Sequence, residues 1–228
     1  MQTRFDRVSF DYGRIHALTE VSFTVPTGQT VALLGANGAG KSTAVDLMLG
    51  LRRPRSGTVT VLGGPPAAAV AAGRVGAMLQ TGGLPTDATV REVVNLARRL
   101  YGKRRGLAEI LDLAGLTELR RRKVDALSGG QAQRVRFAVA MAGKPDLLFL
   151  DEPTVALDFK ARRRFWQAVK AQGNTVVFAT HYLDEADEYA DRVIVIDRGR
   201  VVADGAPAVI KGDSSLEQAL VALTEEEL

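Results

Sequence analysis

Over the first sixty residues, apolar and polar positions alternate with a period of two: Phe5, Val8 and Phe10, then Val21, Phe23 and Val25, then Val59 and Val61. Turn sequences at Tyr12-Gly13, Pro26-Thr27-Gly28 and Pro54-Arg55-Ser56-Gly57 separate these groups, which predicts short strands in an N-terminal antiparallel layer. Residues 31–34, 147–150, 176–179 and 193–196 are instead unbroken apolar runs that end in small or polar residues. Such runs predict strands covered on both faces of a mostly parallel sheet. Between about 87 and 144 the period becomes helical. Thr89-Val90-Arg91-Glu92 is a capping box opening a helix with Val90, Val93, Val94 and Ala97 on one side, and a shorter helix carries Leu107, Ile110, Leu111 and Ala114. An α-helical subdomain inserted between two strands of the sheet is the expectation. Leu216, Ala219, Leu220 and Leu223 predict a last amphipathic helix before the acidic end at Glu225, Glu226 and Glu227, a packing element or frayed tail.

A chain of 228 residues is expected to fold as one α/β domain over 1–228. With 46% apolar and 25% charged residues, 23 Gly and 8 Pro, neither disorder nor a collagen-like repeat fits. There is no cysteine, so a disulfide framework, a thiolate metal site and a cysteine nucleophile are excluded, and two histidines are too few for a zinc enzyme of the usual kind. The uncharged stretches 21–40 and 56–73 are broken by Pro26, Gly28, Gln29 and Asn37 and by Gly63, Gly64, Pro65 and Pro66, so neither can cross a bilayer as a helix. No apolar leader is visible at the N-terminus, and a cytoplasmic location is expected. The excess of 30 Lys and Arg over 26 Asp and Glu is mild. Its clusters, Lys103-Arg104-Arg105 and Arg120-Arg121-Arg122-Lys123, read as a solvated face, and no nucleic-acid partner is expected.

Candidate chemistry begins at Gly35-Ala36-Asn37-Gly38-Ala39-Gly40-Lys41-Ser42, the pattern G-x-x-x-x-G-K-[ST], between the run 31–34 and a helix bearing Val45, Met48 and Leu49. Gly35, Gly38 and Gly40 let the backbone wrap a polyphosphate, and successive N–H groups with the helix start make an anion cradle. Lys41 adds a positive charge for the outer phosphate oxygens, Ser42 a hydroxyl for Mg2+, and Thr43 a further phosphate contact. The run 147–150 leads into Asp151-Glu152-Pro153, two acids at the carboxyl end of a strand, where open α/β sheets bind ligands. Alternation along the strand would point them apart. Asp151 is then the Mg2+ carboxylate, while Glu152 polarises the attacking water as general base, or orients it. A second helix start, Leu127-Ser128-Gly129-Gly130-Gln131, has the S-x-x-Q capping box ahead of Val135, Ala138, Val139 and Ala142. Capping does not require Gly129 and Gly130. They suit a phosphate at the positive helix end, with a loosely packed capped helix as the equal alternative.

The phosphate loop, residues 127–131 and residues 147–153 together resemble the nucleotide-binding subunit of an ATP-binding cassette transporter, over nearly the whole chain. The resemblance implies a P-loop NTPase core that binds ATP and Mg2+. It further implies that two such domains pack head to tail, each presenting Ser128, Gly129, Gly130 and Gln131 to the γ-phosphate held by the other. It also assigns Gln80 to a glutamine loop reaching Mg2+ and water, Tyr12 to stacking on adenine, His181 to a γ-phosphate contact and Asp158 to the loop crossing the dimer interface. Val155 is bulkier than the small residue the family often has there. The segments 77–84 and 180–186 resemble exporter subunits of the drug-resistance type, which work with a separate permease at the inner face of the membrane. The competing expectation is a soluble cassette ATPase acting on nucleic acid or ribosomes, but such proteins usually carry a second cassette or a long coiled coil, which this chain lacks.

Overall fold

The computed structural model of the chain describes residues 2–79, 83–102 and 104–225. In chain order the elements are β1 (Thr3–Tyr12), β2 (Ile15–Val25), β3 (Thr30–Leu34), α1 (Lys41–Met48), β4 (Ser56–Thr60), α2 (Pro66–Ala71), β5 (Val75–Met78), α3 (Val90–Leu100) and α4 (Leu107–Leu113). Single 3-10 turns at Thr117–Leu119 and Val124–Ala126 follow, then α5 (Gly129–Met141), β6 (Leu147–Asp151), α6 (Phe159–Lys170), β7 (Thr175–Ala179), α7 (Leu183–Tyr189), β8 (Arg192–Asp197), β9 (Arg200–Gly205), α8 (Pro207–Lys211) and α9 (Leu216–Glu225). They form two compact units, one from Met1–Ala71 and Thr175–Leu228, the other from Ala72–Asn174.

In the first unit, β1 lies between β2 and β4 in an antiparallel layer. The short strands predicted here are longer than the alternation suggests, because the pattern is broken by bulges. The β1–β2 register shifts after Phe5 and again after Val8, and Arg7 (φ 46°) and Glu20 (φ 51°) take left-handed backbone. Serine hydroxyls absorb the displaced donors: Arg7 N–H donates to Ser22 Oγ at 2.8 Å and Glu20 N–H to Ser9 Oγ at 3.0 Å. The remaining strands follow the expected parallel pattern. β3 is buried throughout and pairs in parallel with β7 on one side and β8 on the other, while β9 runs antiparallel on β8. Burial on both faces leaves β3 no solvent side, which is why its sequence carries no alternation.

In the second unit, β5 and β6 pair in parallel and the helices α3, α4 and α5 occupy the expected stretch. The α/β class, the mostly parallel strands, the antiparallel N-terminal layer and the helical insertion are therefore as predicted. The buried side of α3 is Val90, Val93, Val94 and Ala97, the residues the helical period names, and its capping box is complete. Its first turn is tied to the basic run, with Val90 N–H donating to Arg122 O at 3.0 Å and Arg91 N–H to Arg120 O at 2.9 Å. Of the other basic cluster and the acidic tail, Lys103, Glu226 and Glu227 lie outside the described residues. Helix α6 carries no legible apolar period in the sequence. Lys160, Arg162, Arg163 and Arg164 obscure its period, and only Phe165, Trp166 and Val169 are buried. Among the described residues no helix is long and apolar enough to cross a membrane.

Candidate functional site

The phosphate-loop sequence begins where β3 ends. At Gly35 (φ 143°) a Cβ would lie 2.0 Å from Ile196 O, and at Gly40 (φ 113°) 2.6 Å from Ala17 O. Both positions combine left-handed backbone with no room for a side chain, so glycine is obligatory there. Between them Ala36, Asn37 and Gly38 are exposed, and Ala39 is held from both sides: its N–H donates to Ala36 O at 3.1 Å and its O accepts from Gly199 N–H at 2.9 Å. Lys41 reaches back over the loop, its Nζ donating to Gly35 O at 2.7 Å and Ala36 O at 3.0 Å. The ammonium thus sits over the concavity of the loop. Gly40 is the N-cap of α1 and makes no side-chain cap, and the first turn carries no acidic residue. An uncapped helix start with a lysine above it has the electrostatics of an anion site. Ser42 is exposed in this turn and Thr43 is buried.

Two further predicted residues lie in the same unit. Tyr12 ends β1 and is 40% exposed. The Phe10 ring packs against it edge-on with centroids 4.9 Å apart, and the Arg52 guanidinium lies over its ring at 5.1 Å from the centroid. His181 is exposed just after β7, its ring 4.1 Å from that of Tyr182. The turn carrying it is fixed by the buried Thr180, whose hydroxyl donates to Glu185 Oε2 at 3.2 Å and accepts from Tyr182 N–H at 3.0 Å. Thr180 and Glu185 have no motif of their own, and only their position on either side of His181 marks them.

In the second unit, Asp151 closes β6 half-buried, and Glu152 leaves the strand with φ 48°. Strand alternation therefore does not set the direction of Glu152, contrary to the sequence argument; a left-handed residue does. Such backbone costs a non-glycine residue about 1–2 kcal/mol, and a buried glutamine helps to hold it. Gln133 of α5 donates from Nε2 to Glu152 O at 3.1 Å, and its Oε1 accepts from Arg136 at 2.9 Å. The sequence supplies no signal for this role beyond the position of Gln133 shortly after the capping box.

Ser128 caps α5 reciprocally, its Oγ accepting from Gln131 N–H at 3.3 Å while Ser128 N–H donates to Gln131 Oε1 at 3.1 Å. The two glycines have a packing reason that the sequence does not reveal. A Cβ on Gly130 would lie 2.9 Å from Ala156 O, and one on Gly129 3.3 Å from Ala156 Cβ. The chain following Glu152 lies directly on this helix start. It then turns into α6 at Asp158, whose carboxylate accepts from Ala161 N–H at 2.8 Å as the N-cap. A cleft of about 870 Å³ opens beside this helix start, its wall including Ser128, Gly130, Asp158, Lys160 and Arg164. Gln80 lies outside the described residues.

A glycine-wrapped loop joining a buried parallel strand to an uncapped helix, with its lysine folded over it, defines a phosphate-binding nucleotide fold. The ABC transporter family profile matches residues 18–155, and the chain belongs to that family as one of its ATP-binding domains. It is 37% identical over 216 residues to the Nod factor export ATP-binding protein I of Paraburkholderia xenovorans, spanning 90% of this chain and 71% of that protein. Among solved structures it resembles an ATP-binding subunit of an ABC transporter, with a TM-score of 0.87 and 28% identity over 98% of this chain and 99% of that one. It also resembles a dimeric ATP-binding cassette in a post-hydrolysis state bound to ADP and Pi, with a TM-score of 0.80 and 28% identity over 90% and 98% of the two chains.

Proposed function

We propose that the chain is the ATP-hydrolysing subunit of an exporter, driving a separate membrane permease by ATP-dependent closure of a homodimer. The observation that carries this reading is the phosphate loop, with Gly35 and Gly40 where no other residue fits and Lys41 drawn across the loop carbonyls. In the proposed site Tyr12 stacks on the base, and Gly35, Asn37, Gly38, Ala39, Gly40, Lys41 and Thr43 wrap the phosphates. Lys41 exchanges its two carbonyl partners for phosphate oxygens of higher charge. Ser42, Gln80 and Asp151 are the donors to Mg2+. The hydroxyl, amide and carboxylate oxygens are the hard ligands this ion takes, and with few protein donors phosphate and water would complete its shell. Bound there, the ion would offset charge on the outer phosphates.

Glu152 accepts the proton of the attacking water or orients it, and His181 and Gln80 contact the γ-phosphate and water. Ser128, Gly129, Gly130 and Gln131 of one copy meet the γ-phosphate held by the other, with Asp158 in the loop between copies. The exposed apolar side chains of Val155 (50%) and Phe159 (75%) flank Asp158 and support burial against a second copy. The relative named for Nod factor export supports transport out of the cell, and the permease selects a drug-like or lipophilic cargo. The subunit itself is placed on the inner face of the membrane through that permease.

Lys41→Ala should weaken ATP binding roughly tenfold to a hundredfold in calorimetry, the value of a charge-assisted contact. Glu152→Gln should bind ATP normally and lose roughly 100- to 10,000-fold in turnover. ATP binding by Lys41→Ala equal to that of the unaltered chain removes the reading of the loop. Normal hydrolysis by Glu152→Gln removes that of the carboxylate. Recovery of a nucleic-acid complex in place of a polytopic membrane protein from an affinity pull-down would overturn the transport assignment.

A further inference from the structure

We propose that Arg52 is a positioning residue for the nucleotide base, acting through Tyr12. The inference rests on the reading of Tyr12 as the base platform and concerns what holds that platform in place. Tyr12 stands at the end of β1, immediately before the turn at Gly13 (φ 60°), where a tyrosine without neighbours would rotate freely. Phe10 packs against the ring edge-on, and Arg52 places its guanidinium carbon 5.1 Å from the ring centroid. The ring nevertheless keeps 40% of the residue exposed, so surface remains for an incoming base.

Arg52 is itself held from the phosphate side. Its Nε lies 3.7 Å from Asp46 Oδ2, and Asp46 belongs to α1, the helix that opens at Lys41. The base platform and the phosphate cradle are thus joined through Asp46 and Arg52, within one unit of the fold. A planar cation over the ring fixes the ring plane while the exposed part of the residue stays open to the purine, so less side-chain freedom is lost when the base arrives. A lysine would supply the charge without the flat stacking group.

The test compares two ligands by calorimetry on the full chain, ATP and inorganic tripolyphosphate, which has the charge but no base. Arg52→Ala should weaken ATP binding about twofold to fivefold, the scale of an exposed cation–π contact, and leave tripolyphosphate binding as it was. Introduced into Tyr12→Ala, the same change should produce no further loss, because the residue it acts through is gone. Arg52→Lys should recover only part of the affinity. Unchanged or tighter ATP binding in Arg52→Ala overturns the proposal, as does an equal loss for tripolyphosphate, a full loss in the Tyr12→Ala background or complete rescue by lysine. A Tyr12→Ala variant that binds ATP normally would instead remove the platform reading itself, so the two failures are distinguishable.

Discussion

The starts of α1 and α5 are both glycine-rich helix ends, one in each unit, and they are built in opposite ways. The phosphate loop is shaped by its backbone. Gly35 and Gly40 sit in left-handed conformations against Ile196 O and Ala17 O, and no side chain caps the helix they precede. The start of α5 is shaped by side chains. Ser128 and Gln131 cap each other, and Gly130 is required by the carbonyl of Ala156 lying on the first turn. An end without a side-chain cap leaves its first N–H groups and its positive pole open. An end that caps itself is stable without a ligand.

If that contrast is right, Gly35→Ala should be among the most damaging small changes in the molecule. Its Cβ meets backbone that has no room to move, and a loss above about 3 kcal/mol in urea unfolding is expected. A stability within about 0.5 kcal/mol of the unaltered chain would show that the loop is not backbone-determined. Gly130→Ala should cost less, about 1–3 kcal/mol in the same measurement, because its contact with Ala156 O is 2.9 Å, against 2.0 Å at Gly35, and a smaller shift relieves it. That shift would carry the Glu152 turn with it, so turnover should fall further than stability.

Ser128→Ala should cost about 1 kcal/mol by loss of the cap. Thr89→Ala, the same capping chemistry at α3 with no predicted ligand, provides the control. It should cost a similar amount and leave ATP turnover unchanged, whereas Ser128→Ala should lower turnover as well. Equal turnover in the two variants would reduce the α5 cap to a structural device. The smallest expected effect is on acid sensitivity. The carboxyl of Glu92 is held below its ordinary value of 4.5, chiefly by the Thr89 backbone N–H and then by the Thr89 hydroxyl. Its native pKa being the lower one, its contribution to stability is complete above the ordinary glutamate range and is lost as pH falls through the depressed native value. Glu92→Gln should therefore flatten the fall in unfolding midpoint between about pH 5 and pH 3, with little change in its slope above pH 6.

The phosphate loop, the acids at the end of β6 and both capping boxes could be read from the chain because each is a local device. Its parts lie within a few residues of one another, and its chemistry follows from residue type and spacing. The apolar runs of β3, β6, β7 and β8 declared burial on both faces for the same reason. What could not be read required contacts between residues far apart in sequence. Only the fold brought Ile196 O against Gly35, Ala17 O against Gly40, Gln133 onto the carbonyl of Glu152, Ala156 onto Gly130 and Arg52 over Tyr12. It also decided that the β1–β2 pair is bulged, since a bulge is a property of two strands and neither sequence alone contains it. The sequence determined which chemical groups are present and in what local frames. Tertiary packing determined which way Glu152 leaves its strand and which glycines are obligatory, because direction and space are set by neighbours that the chain order does not place side by side.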